Sequence, residues 1–163
     1  MDLNSQYSDL VEALKANQQT VGFAESCTGG LIASLVTQVP GSSKVFEGAV
    51  VCYSNAVKNN VLEVSENTLV KFGAVSRETA LEMALGAQKV LRVDWALSVT
   101  GIAGPDGGTD EKPVGTVWMA IVGPYFEEVW QSRFDGDRLS IQRQSAAKGI
   151  QGLLKALTNQ KER

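Results

Sequence analysis

A chain of 163 residues with 44% hydrophobic and 20% charged side chains has the length and balance of one globular domain with a buried core. Its formal charge of −3 and pI near 5.0 exclude a broad basic face, and with it a sequence-blind hold on nucleic acid. It has no histidine, which excludes Ser-His-Asp triads, Cys-His pairs and His-ligated zinc, and leaves Lys, Asp, Glu, Tyr or a thiolate to act as a base.

The spacing of Tyr7, Leu10, Val11 and Leu14 predicts an amphipathic helix over 5–17. A short strand over 20–24 runs into Glu25-Ser26-Cys27-Thr28-Gly29-Gly30 and then a helix over 31–39, which Pro40-Gly41 stops. Gly41-Ser42-Ser43-Lys44 reads as a turn before a strand over 46–53. Asn55 is placed to cap a short helix through Leu62, and a second short helix over 65–72 closes at Gly73. Ser76 caps a longer helix over 77–91, with Leu81 and Leu85 expected to face inward.

The apolar, unalternating run 95–100 predicts a buried central strand, which empties into a glycine-rich loop over 101–108. Strands over 115–122 and 126–134 form an antiparallel pair through Gly123-Pro124, and Asp137 caps a last helix reaching Leu157. The pattern implies a single domain over 1–163, an α/β fold built as a three-layer α/β/α sandwich with a mixed sheet; it leaves the strand order open. No apolar run approaches the roughly 18 residues of a membrane span. The first residues, MDLNSQYSDLVEALK, carry neither a basic nor an apolar signal region, so a cytoplasmic chain with reduced Cys27 and Cys52 is expected.

Several segments are able to carry chemistry. The turn Glu25 to Gly30 joins a strand to a helix start, where main-chain N–H groups and the helix dipole suit a phosphate or carboxylate. The loop Thr100 to Gly108 matches neither a dinucleotide nor a triphosphate fingerprint, though long glycine loops at strand ends often line sites. Gly41-Ser42-Ser43 with Tyr53 and Lys58 offers a hydroxyl nucleophile and a lysine base, provided burial lowers the lysine's pKa. Spacing alone leaves this one option among several, and a solvated surface lysine is the plainer reading. Cys27, at a helix start, is a second candidate nucleophile. Ser145-Ala146-Ala147-Lys148 matches an S-x-x-K pattern without its companion elements, and Asp106, Asp110 and Glu111 lack cation-loop spacing.

Taken in order, Glu25-Ser26-Cys27-Thr28-Gly29-Gly30, Gly41-Ser42-Ser43, Tyr53-Ser54-Asn55 with Lys58, Gly73-Ala74-Val75-Ser76, Gly101 to Gly108, Lys112 to Trp118, and Gly136-Asp137-Arg138 form a set. This set resembles the CinA C-terminal-domain family in its stand-alone form, from about Leu10 to Leu157. The resemblance implies an amidase that hydrolyses the carboxamide of nicotinamide mononucleotide to nicotinic acid mononucleotide and ammonia. It implies no metal or organic cofactor, no nucleic-acid or membrane partner, and a homodimer. By the same resemblance Ser43 is the nucleophile, Lys58 the general base and Tyr53 its neighbour. Ser26, Thr100, Gly29 and Gly30 then line the substrate pocket, and Arg138 holds the phosphate. The family has an arginine where this chain has Gln142, which keeps Arg143 as the alternative to Arg138. The competing reading is a catalytically silent nucleotide-binding or regulatory module.

Overall fold

The computed structural model describes residues 3–160. Its elements in chain order are α1 (Leu3–Asn17), β1 (Val21–Glu25), α2 (Leu31–Thr37), a 3-10 turn (Ser42–Lys44), β2 (Phe46–Val51), α3 (Asn55–Leu62), α4 (Glu66–Phe72), α5 (Arg77–Leu91), β3 (Trp95–Gly101), β4 (Thr116–Gly123), β5 (Phe126–Arg133) and α6 (Arg138–Gln160). The sheet order is β2-β1-β3-β4-β5. β1 pairs parallel with β2 and β3, and β4 pairs antiparallel with β3 and β5, so the sheet is mixed as expected.

Strand alternation divides the core into two. Trp95, Leu97 and Val99 of β3, with Val117, Met119 and Ile121 of β4, pack against α1, α2 and α6. Ala24, Ala96, Ala120 and Val122 face the other way, onto Ala80, Met83, Ala84 and Ala87 of α5, with α3 and α4 against α5. These are the three layers. Residues on the α5 side are small because the helix sits close: a Cβ at Gly22 would lie 2.5 Å from Leu91 Cδ1.

That close approach corrects the inward assignment of Leu85, which is 43% exposed. Alanines and Met83 make the contact instead, and alanine's low apolar weight hides such a face from a search for large aliphatic residues. The cap of α3 moves by one residue: Ser54 Oγ accepts from the Val57 N–H at 3.2 Å, and Asn55 is already helical. Asp137 caps α6 through the Ser140 N–H at 2.8 Å, as expected.

The chain leaves β1 through α2 on one face and returns to β3 through α3, α4 and α5 on the other. Parallel strands whose crossovers lie on opposite faces open a crevice at their carboxyl ends. Ser26, Tyr53 and Thr100 stand at or just past the ends of β1, β2 and β3, around that crevice.

Candidate active site

The turn after β1 is organised by Glu25. Its carboxylate is fully buried and accepts from Thr28 Oγ1 at 2.7 Å and from the N–H groups of Ile32 and Ala33 at 2.9 and 3.0 Å. The start of α2 therefore does bind a carboxylate, and it is the chain's own. With these donors filled, the turn is rigid, and the Ser26 N–H ties it to Val99 O of β3 at 3.0 Å.

Ser26 Oγ accepts from Lys58 Nζ at 3.0 Å. Lys58 is carried into the interior by the first turn of α3 and is only 1% exposed. The other contacts of Nζ are the carbonyl oxygens of Cys52 at 2.9 Å and Tyr53 at 3.2 Å. Burial among neutral groups pushes the Lys58 pKa below that of a free lysine. A neutral amine has two N–H bonds and one lone pair. On loss of its third proton the two carbonyls keep the N–H bonds, and the contact with Ser26 reverses, the lone pair accepting the Ser26 hydroxyl proton.

Ser43 is elsewhere. It is exposed in the 3-10 turn before β2, whereas Lys58 follows the other end of that strand. Six strand residues separate the two sites by about 20 Å. The expected pairing of Ser43 with Lys58 is not made, and Ser26, expected to line the pocket, stands in its place.

The cleft around Ser26 and Lys58 has a volume of about 260 Å³ and is lined by Tyr53, Ala74, Val75, Thr100, the loop from Gly101 to Gly107, and Arg138. Thr100 Oγ1 donates to Ala74 O at 2.7 Å. Arg138 donates to Gly104 O and, at 2.7 Å, to Tyr53 Oη. Tyr53 thus serves Lys58 through its carbonyl and Arg138 through its phenol. Two donors of the guanidinium are engaged, and the rest of its fork is available to an anion.

Gly29, Gly30 and Arg143 do not join this cleft. They line a neighbouring hollow with Ser34, Leu139 and Gln142. Gln142 Nε2 donates to Cys27 O at 2.9 Å, a tie between α6 and the Ser26 turn that sequence reasoning missed. A hollow of about 320 Å³ between β5 and α6, lined by Trp130, Lys148 and Lys155 among others, holds no serine, threonine or cysteine.

Cys27 is excluded as a thiolate because burial pushes its thiol up to about 12, and the same cause puts Cys52 at about 11. Among the described residues no three Cys, Asp or Glu side chains gather as a metal site. Nor is any described helix long and apolar enough to cross a membrane.

A buried serine–lysine pair at the carboxyl ends of parallel strands is an arrangement able to carry hydrolysis without histidine. The chain belongs to the CinA C-terminal domain family, whose model matches residues 4–157. It is 50% identical over 143 residues to the nicotinamide-nucleotide amidohydrolase PncC of Shigella flexneri, covering 87% of each chain. The protein of that name from Escherichia coli K12 is 49% identical over the same share. A CinA-like protein of Pseudothermotoga lettingae is 44% identical over 92% of this chain and 37% of its own length. Among solved structures, a CinA superfamily protein of Klebsiella pneumoniae matches with a TM-score of 0.93 at 31% identity, over 98% of this chain and 99% of its own. The competence/damage-inducible protein CihA of Agrobacterium tumefaciens gives 0.90 at 39%, over 97% and 96%.

Proposed function

We propose that the chain is a nicotinamide-nucleotide amidohydrolase, with Ser26 as nucleophile and Lys58 as general base. The observation that carries the assignment is the Lys58–Ser26 contact, with both other partners of the amine being carbonyl oxygens. Half-identity to amidohydrolases of that name over most of the chain supports the substrate.

Ser26 Oγ attacks the carboxamide carbon while its proton passes to neutral Lys58. A main-chain N–H of the turn that carries Ser26 is assigned to the oxyanion; one such donor lowers the barrier by about 3 kcal/mol. Lys58 returns the proton to the amide nitrogen, the C–N bond breaks and ammonia leaves. Water then attacks the acyl ester and gives a proton to Lys58, which passes one to Ser26 Oγ as the carboxylate departs. Arg138, braced between Tyr53 and Gly104, holds the phosphate, because its unused donors match phosphate oxygens. A homodimer in the cytoplasm belongs to the same reading. Mass measurement in solution tests the dimer.

The test is ammonia release from nicotinamide mononucleotide by wild type, Ser26→Ala and Ser43→Ala. Wild type and Ser43→Ala turn over, with no effect of chelators, and folded Ser26→Ala does not. Turnover by Ser26→Ala, or its loss in Ser43→Ala, overturns the assignment of nucleophile. Binding of the mononucleotide by wild type with no ammonia formed favours the silent module.

A further inference from the structure

The two walls of the cleft come from distant segments. One is Ala74-Val75, between α4 and α5, and the other is the β3–β4 loop from Ile102 to Gly107. Around the first wall, three consecutive carbonyls accept from side chains, some local and some distant. Gly73 O accepts from Ser76 Oγ at 3.0 Å and Thr79 Oγ1 at 2.7 Å, and Ala74 O accepts from Thr100 Oγ1. Phe72 O accepts from Lys112 Nζ at 2.7 Å, across 40 residues of sequence. Lys112 is therefore the tie between this wall and the far end of the glycine loop.

The loop is built to present it. Gly104 and Gly108 fold closely over Val114, where added Cβ atoms would lie 2.5 Å from its Cγ1 and 2.7 Å from its nitrogen. Thr109 N–H donates to Lys112 O at 2.9 Å, and Lys112 N–H donates to Thr109 Oγ1 at 3.0 Å, closing the turn that aims the side chain. Although Asp110 and Glu111 precede it, the ion pairs among the described residues are Lys15–Glu12 and Lys89–Glu63. The ammonium goes instead to the last turn of α4, where the helix dipole favours a cation. The receiving backbone is shaped for it: Gly73 has φ +82°, and a Cβ there would come 3.2 Å from Lys112 Nζ.

We propose that Lys112 is a positioning residue that straps the Ile102–Gly107 loop to the end of α4 and so fixes the width of the cleft for its pyridine nucleotide. Lys112 does not line the cleft itself and acts through the backbone it holds. The inference rests on the amidase reading for its substrate, and on geometry alone for the strap.

Lys112→Met keeps the aliphatic stem and removes the donors; Lys112→Arg keeps donors. Lys112→Met raises KM for nicotinamide mononucleotide about tenfold, the equivalent of one charge-assisted hydrogen bond, with kcat within about twofold. Lys112→Arg restores most of the KM. Any turnover of the riboside shows the same fold-change, because the strap does not touch the phosphate. In the free protein, hydrogen exchange over 72–76 and 102–112 quickens in Lys112→Met and stays near wild type in Lys112→Arg. Unchanged KM and exchange in Lys112→Met overturn the proposal. So does a KM rise confined to the phosphorylated substrate, which would make Lys112 a direct anion contact. If wild type releases no ammonia, the amidase reading fails, and the exchange measurement still decides the strap.

Discussion

Lys58 Nζ lies 3.0 Å from Ser26 Oγ in the protein interior, and none of its hydrogen bonds among the described residues goes to a carboxylate. Its remaining partners are two main-chain carbonyls, which the two N–H bonds of a neutral amine are enough to satisfy. The burial that gives the lysine its reactivity is also a cost to the fold, and the two consequences have separate pH signatures.

The first concerns rate. Only unprotonated Lys58 accepts the Ser26 proton, so kcat/KM should rise with pH through the Lys58 pKa. Burial places that value below the roughly 10.4 of free lysine. A pH–rate profile of ammonia release should therefore level off before the free-lysine value. A rate that climbs through 10.4 with no earlier inflection would remove Lys58 from the role of base.

The second concerns stability. Between the lowered folded pKa and the unfolded one, the unfolded chain binds more protons than the native state, so stability rises with pH across that window. Below the folded pKa the cation is buried and its full desolvation cost is present. Lys58→Met should abolish turnover yet unfold later, by about 1 kcal/mol, with the gain largest at the low-pH side of the window. Denaturant melts at several pH values read this directly. A less stable Lys58→Met protein would show that the lysine's hydrogen bonds outweigh its desolvation.

The serine that Lys58 meets shows what the sequence could and could not convey. The strand expected over 46–53 already lay between Ser43 and Lys58, and a strand carries its two flanks to opposite ends. That much was legible, and it argued against pairing the two. What was missing was the partner strand: Ser26 reaches Lys58 because β1 pairs parallel with β2 and both end at the crevice. Pairing is a property of the sheet, and local periodicity does not encode it. Helix bounds, the Ser76 and Asp137 caps and the central β3 strand were readable because each is set by local chemistry. The alanine face of α5 was not, since it depends on how near the helix lies to the sheet.

Glu25 makes a third prediction. Its carboxylate holds Thr28 and the first amides of α2, and those bonds fix the turn on which Ser26 sits. Glu25→Gln keeps the shape but turns an amide NH2 toward groups that are themselves donors. The loss should be roughly 2–3 kcal/mol, the scale of charged hydrogen bonds left unmade, together with a fall in kcat as the turn loosens. Equilibrium unfolding and ammonia release measure the two effects. Full activity at reduced stability would show that the Val99 tie alone is enough to hold Ser26.

The last prediction tests whether the helix carrying Lys58 is set by its packing. A Cβ at Gly86 of α5 would lie 2.1 Å from Leu62 O and 2.9 Å from Leu62 C, at the end of α3. Backbone cannot yield as a side-chain tip does, so Gly86→Ala must push α3 outward, and with it Lys58. Gly152→Ala on α6 is the matched control, since its Cβ would meet a Trp130 ring carbon at 2.8 Å, away from the cleft. Both substitutions should cost about 1–3 kcal/mol of stability, the range for overpacked cores. Only Gly86→Ala should also lower kcat, because a proton transfer over 3.0 Å tolerates little displacement of its base. Equal kcat in the two folded variants would mean that Lys58 is held by the carbonyls of Cys52 and Tyr53 and not by the seat of α3 on α5.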